Sequence, residues 1–227
     1  MFIPLKDLTP HRRTPVVNIF LLCANIAIFA YQLTLSPHMA KAFLMANATI
    51  PARFPAFFAG RIDFHGAFQP LLTSMFLHAG LAHLAGNMLF LWIFGDNVED
   101  FFGHFGYLLF YLFCGVGSGL MHVLFNLSSP LPALGASGAI SGVMGAYLVL
   151  YPGSRILTLF FIFLVPIPAV FILGYWFFLQ FLAGMSSVGM VTQGGVAWWA
   201  HIGGFLLGVS LTSLARTVAR GGLQARN

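Results

Sequence analysis

Residues 134–142 read Leu134-Gly135-Ala136-Ser137-Gly138-Ala139-Ile140-Ser141-Gly142, just after a turn containing Pro130 and Pro132. Gly145 and Ala146 extend this run of small residues. A helix face built this way lets the backbone of a second helix come very close. Ser137 stands where loop passes into helix. A second stretch, Ala200-His201-Ile202-Gly203-Gly204-Phe205-Leu206-Leu207-Gly208, complements it. His201, Gly204 and Gly208 lie at i, i+3 and i+7 and therefore share one helical face. Together the two stretches predict neighbouring helices with close packing at Gly135, Gly138, Gly142, Gly204 and Gly208. They bring Ser137 and His201 together, a nucleophile and a base, the minimum for acyl transfer.

The composition sets the solvent for this pair. Of 227 residues, 59% are hydrophobic and 7% charged, with a mean hydropathy of +0.90. A soluble domain carries about 25% charged residues, so the chain reads as a polytopic membrane protein. The formal charge of +5 does not suggest nucleic acid, because the basic residues gather at span ends rather than in one patch. Cys23 and Cys114 both fall in apolar runs and read as packed thiols rather than a disulfide.

Working outward, the spans are expected at 16–35, 80–101, 105–127, 137–151, 168–184 and 197–214. The first apolar run is about 20 residues, enough to cross a bilayer and longer than a signal-peptide core. Residues 1–15 form a polar, basic N-terminal segment, 16–215 a single membrane domain, and 216–227 a C-terminal tail. Between the first two spans, residues 36–79 mix prolines, phenylalanines and charges, and read as short helices at the interface. Residues 156–167 are apolar but lead into Pro166 and Pro168, so no helix is assigned there. Six spans put both termini on one side. Lys6, Arg12, Arg13, Arg155, Arg216, Arg220 and Arg226 share that side, against Lys41, Arg53 and Arg61 opposite. The positive-inside rule makes the first side cytoplasmic, as in a bacterial inner membrane.

With this topology the second, fourth and sixth spans enter from the outer face. Ser137 begins the fourth, His201 lies about four residues into the sixth, and His83 and Asn87 lie about three and seven residues into the second; at 1.5 Å per residue these depths agree within about 10 Å. Polar side chains inside a membrane are expensive and mark function. His83 and Asn87, one turn apart, both donate hydrogen bonds and could join the Ser137 N–H in an oxyanion hole. Ser141 reads as helix-packing glue, and His122 as a packed or hydrogen-bonded histidine. His78 reads as an interfacial or structural histidine more readily than as a catalytic one.

Other hydrolytic chemistries lack their residues. There is no His-Glu-x-x-His string. Of the five acids, Asp7, Asp63, Asp96, Glu99 and Asp100, three cluster at the cytoplasmic end of one span and none faces Ser137. That removes a paired-carboxylate mechanism and leaves His201 without a carboxylate partner, so the expected unit is a Ser–His dyad.

These elements resemble a known family. Gly135-Ala136-Ser137-Gly138 is similar to the Gly-x-Ser-Gly signature of rhomboid intramembrane serine proteases. His83-Leu84-Ala85-Gly86-Asn87 resembles their His-x-x-x-Asn element, and Ala200-His201-Ile202-Gly203-Gly204 their last-helix histidine motif. The resemblance covers about residues 16–215. It implies an all-α, six-transmembrane-helix bundle with a long, partly helical first outer loop. Ser137 would attack a peptide bond and His201 take its proton, with oxyanion support from His83, Asn87 and the Ser137 N–H. It implies no cofactor and no metal, a lipid bilayer as surroundings, and transmembrane proteins cut near their outer ends as substrates. A catalytically inactive relative that binds transmembrane clients is the alternative. Two positions depart from the pattern: Gln69-Pro70 stands where some rhomboids carry Trp-Arg, and Ser141 where some carry an aromatic one turn after the nucleophile. For substrate entry, Phe177 and Phe181 on the fifth span form a candidate gate beside the second span, and residues 185–190, in a glycine- and serine-rich loop expected over 185–196, a movable cap.

Overall fold

A computed structural model describes residues 2–10, 12–187 and 197–224. The elements run in the order β1 (Phe2–Asp7), α1 (Val16–Thr34), α2 (Pro37–Asn47), α3 (Arg53–Phe58), α4 (Phe64–Thr73), a 3-10 turn (Ser74–Phe76), α5 (Leu81–Phe125), α6 (Ser137–Leu150), β2 (Arg155–Phe160), β3 (Phe163–Pro168), α7 (Ala169–Ser187) and α8 (Trp198–Gln224). Among the described residues, α1, α5, α7 and α8 are long and apolar enough to cross a membrane, and α6 is a shorter apolar helix.

Helix α5 is 45 residues long but breaks at Gly103, where φ is 70° and ψ 166°. A side chain there would be strained, which is why glycine occupies the break. The two arms fold back on each other. Asn18 Nδ2 donates to Leu91 O on the first arm, and Tyr107 OH on the second donates to Asn18 Oδ1. The acidic cluster beside the break caps α1. Glu99, 2% exposed, accepts from the Val17 and Asn18 N–H groups at 2.9 and 2.7 Å, and Asp100 accepts from the Arg12 and Arg13 N–H groups. Pro15, the residue before the helix, supplies no side-chain cap, so α5 satisfies the orphan donors that every helix start leaves.

The core lies where α6 is held between the second arm of α5 and α8, with Tyr107, Tyr111, Tyr147 and Phe94 among its largest buried side chains. Cys114 is buried there, while Cys23 is exposed; both are free thiols.

The all-helical expectation needs correcting. Strands β1, β2 and β3 form an antiparallel sheet in the order β1-β2-β3. The N-terminal segment is thereby part of the fold, and the stretch 156–167 is a hairpin. Prolines that break a helix are tolerated on edge strands. Pro166 and Pro168 sit on one edge strand, and Pro4 lies at a register shift on the other. The hairpin was hard to read as strands because most of β3 is exposed on both faces, with no alternation of apolar and polar residues. At the other end of the chain, α8 continues through Gln224, so the expected tail from 216 is largely helical.

One buried group ties the sheet to the bundle. Asp7 accepts from Asn97 Nδ2 at 2.8 Å and from Tyr147 OH at 2.9 Å. Burial raises its carboxyl from 3.8 to about 6, against the Tyr147 hydrogen bond, which lowers it, and with the Asp96 charge, which raises it further. The folded value lies above the unfolded one, so this group's contribution to stability is fully present below the unfolded value and lost as pH rises through about 6. Asp7→Asn keeps an acceptor oxygen and removes the charge. Thermal unfolding in detergent across about pH 4–8 should therefore show a shallower loss of stability with rising pH in the variant. Parallel pH slopes for the two proteins would rule this out.

Candidate active site

The site is built where the first outer loop, α5, α6 and α8 meet. Gly135, at φ 122°, turns the chain into α6. Its N–H donates to Ser74 O at 2.9 Å, and a side chain at this position would collide with the His83 ring. The loop below is fastened without Trp-Arg. Thr49 Oγ1 donates to Pro70 O at 3.0 Å and lies 3.0 Å from Ser74 Oγ, Thr73 Oγ1 donates to Asn47 O, and Thr49 bridges to Ala133.

Ser137 opens α6, so its backbone N–H is one of the donors that a helix start leaves free. Ser137 Oγ lies 2.7 Å from His201 Nε2 on α8. His201 is 8% exposed. On its far side, Nδ1 lies 2.7 Å from Gln180 Oε1 on α7. The Trp176 and Trp198 rings flank the imidazole, with centroids 5.9 and 6.4 Å away. Ser141, in place of an aromatic, is buried and donates to Ser137 O at 2.6 Å.

Glycines bring the two helices this close. A Cβ on Gly204 would collide with the backbone carbonyl of Gly138, and one on Gly208 with that of Gly142. On the other side of α6, a Cβ at Gly138 would strike Ser118, and one at Gly142 would strike Cys114. Gly145 adds a further contact, against the Phe205 carbonyl.

His83 and Asn87 lie beside Gly135 on the first arm of α5. Asn87 Nδ2 is 2.9 Å from His78 Nε2, and His78 is buried at 2% exposure with its ring 5.1 Å from that of His83. An amide nitrogen carries two protons, so Asn87 can bond His78 and retain a second donor. His122 instead meets the Asn126 side chain at the end of α5.

Phe177 stacks on Phe205 of α8 with centroids 4.7 Å apart, and Phe181 is 43% exposed. Of the expected cap, residues 185–187 end α7 as helix rather than loop, and residues 188–190 lie outside the described residues, as does the rest of that loop to 196.

Two further residues meet the site: His78, which the sequence suggests as interfacial or structural, and Gln180, which it does not single out. His78 sits outside the helical face that His83 and Asn87 define, in the loop before α5. Gln180 carried the stronger signal: it is the only amide or charged side chain between Ala169 and Gly184, and an isolated polar group in an apolar span asks for a partner.

With this geometry in place, the relatives are informative. The Rhomboid domain family matches residues 65–217. The chain is similar to Rhomboid protease GluP of Bacillus subtilis, 43% identical over 90 residues, which are 40% of this chain and 17% of that protein. It is similar to RHOMBOID-like protein 6, mitochondrial, of Arabidopsis thaliana, 38% identical over 62% of this chain and 41% of that protein. It is also similar to Rhomboid protein 1, mitochondrial, of Saccharomyces cerevisiae, 32% identical over 61% of this chain and 39% of that protein. The matched stretch is thus less than half the length of each of these relatives. They include a protein of a bacterium and two named as mitochondrial. A match across most of the chain, with apolar helices long enough to span a bilayer, makes this an integral membrane protein that belongs to the rhomboid family.

Proposed function

We propose that this chain is an intramembrane serine endopeptidase that cuts transmembrane segments near their outer-facing ends. The observation that carries this reading is the 2.7 Å approach of Ser137 Oγ to His201 Nε2. Retention of a paired nucleophile and base favours a protease over an inactive client-binding relative, which needs neither. Ser137 Oγ attacks the peptide carbonyl while His201 Nε2 takes its proton. His201 then returns the proton to the leaving amine, and water repeats the cycle on the acyl-enzyme. The Ser137 N–H, Asn87 and His83 receive the developing oxyanion.

We read six crossings in α1, the two arms of α5, α6, α7 and α8. Helix α6 has 14 residues, a rise of roughly 21 Å against a hydrocarbon thickness of about 30 Å. With the Leu150 end of α6 at the inner boundary, Ser137 lies below the outer surface, where the end of a substrate helix meets it. We place the inner end at the sheet, on the cytoplasmic side of a bacterial inner membrane, and the distribution of basic residues supports a cytoplasmic side there. Leu8 N–H donates to Arg155 O, which sets Arg155 beside the N-terminal segment, and Arg216 reaches Val149 O at the end of α6.

The test is product mapping. Proteoliposomes holding this protein and a single-span substrate should release fragments whose new termini, read by mass spectrometry, fall in the outer third of the span. Intact substrate, or a cut at its inner end, would refute the reading.

The oxyanion assignment makes a kinetic prediction. Losing one such donor typically costs on the order of 10²–10³ in rate. Asn87→Ala and His83→Ala should each lower kcat more than they raise KM, by less than that range where the remaining donors substitute. An unchanged kcat in the double variant would reject the role.

Substrate entry is assigned to the side of α7. Trimming Phe181, the more exposed of the gate pair, or Phe177 to Ala should speed cleavage of a transmembrane substrate. Cleavage of a soluble unstructured peptide should change less. Equal effects on both would argue against a lateral route.

A further inference from the structure

We infer that Gln180 is a positioning residue for the base, holding His201 in the tautomer and orientation that the reaction needs. The inference rests on the protease reading and deepens it. To accept the Ser137 proton, His201 Nε2 must be unprotonated, so in the neutral ring the proton sits on Nδ1. That N–H needs an acceptor in a site where His201 is 8% exposed. Gln180 Oε1 is placed at 2.7 Å from Nδ1 to accept it. A carboxylate fills this place in Ser-His-Asp triads, where it sets the tautomer and stabilises the imidazolium. A neutral amide sets the tautomer and orientation but supplies no full negative charge.

The surroundings explain why this device is needed. One turn after the nucleophile, Ser141 gives its hydroxyl proton to Ser137 O and offers no ring for the imidazole to stack on. The face of α7 toward the bundle buries Ala169, Ile172, Leu173, Gln180 and Gly184, so Gln180 is the one amide on an otherwise apolar face. An amide buried without a partner forfeits its hydrogen bonds to water with nothing in return. A leucine would pack there without that demand. Because Gln180 rides on α7 and His201 on α8, the base is fully oriented only while α7 is seated.

The test compares wild type, Gln180→Leu and Gln180→Glu in proteoliposomes. Two rates are read for each: covalent labelling of Ser137 by a small fluorophosphonate, which does not need α7 to admit a helix, and kcat and KM for a transmembrane substrate. Loss of positioning should slow labelling on the order of 10–10²-fold in Gln180→Leu and lower kcat with little change in KM. Gln180→Glu retains an acceptor oxygen in either protonation state and should recover most of the rate. A purely packing role predicts the reverse order, with leucine tolerated and glutamate harmful. Labelling of Gln180→Leu at the wild-type rate, or a Gln180→Glu variant as slow as Gln180→Leu, overturns the inference. If the leucine variant does not fold, Gln180→Met, which also lacks the amide acceptor, takes its place. If wild-type Ser137 itself takes no label, the protease reading fails, and this inference with it.

Discussion

Ser137→Ala should abolish cleavage of a transmembrane substrate while leaving the thermal unfolding midpoint close to that of the wild type. The hydroxyl is the nucleophile nearest to His201, at 2.7 Å. Ser141, one turn away, cannot replace it, because that hydroxyl is committed to Ser137 O. In Ser–His proteases of another fold, removing the serine costs on the order of 10⁶ in kcat, and a loss of that size puts residual turnover below detection. The folded state should hardly notice, since alanine retains the helix start and fits the same space. Both measurements can be made on one preparation. Appreciable turnover by a folded Ser137→Ala protein would overturn the nucleophile assignment.

The second large effect is expected from the glycine seam. Gly204 and Gly208 face backbone carbonyls of α6, and a carbonyl cannot rotate away as a side chain can. Gly204→Ala already demands that α6 and α8 separate. A displacement of about 1 Å at a reacting pair costs roughly 10²-fold in rate, and overpacking costs about 1–3 kcal/mol in stability. Gly204→Ala should therefore lose most activity and Gly204→Leu all of it. Gly174→Ala on α7, where an added Cβ meets nothing within 4 Å, is the matched control and should remain active. Full activity in Gly204→Leu would mean that the contact between α6 and α8 does not set the distance between Ser137 and His201.

How far the sequence discloses this molecule depends on the kind of signal each part carries. The Ser137–His201 pairing was legible because helical periodicity and small residues are local features, and two such faces predict each other. Depth along the spans added Asn87 and His83. The sheet was less legible. Its hairpin exposes apolar residues on both faces, so alternation gives no cue, and Pro166 and Pro168 read as helix breakers before they read as edge-strand residues. The acidic cluster at 96–100 was visible, but its role was not. Glu99 caps the start of α1 and Asp100 holds the turn before it, each more than 80 positions away in the chain, and no local pattern encodes such a pairing. Gln180 is hard to single out for a related reason. The usual partner of a hydrolytic histidine is a carboxylate, and the residue that meets Nδ1 is an amide. The replacement of Trp-Arg by Gln69-Pro70 left the loop's anchoring open. Hydroxyl-to-carbonyl bonds from Thr49 and Thr73 supply it.

The central claim is that Ser137 is a nucleophile activated by His201 inside a bilayer. Peptide mapping by mass spectrometry after fluorophosphonate treatment of the reconstituted protein tests it most directly. The account predicts a single adduct, on the Ser137 oxygen, and its loss in His201→Ala. An adduct on Ser141, labelling that survives His201→Ala undiminished, or an unmodified wild-type protein would contradict it.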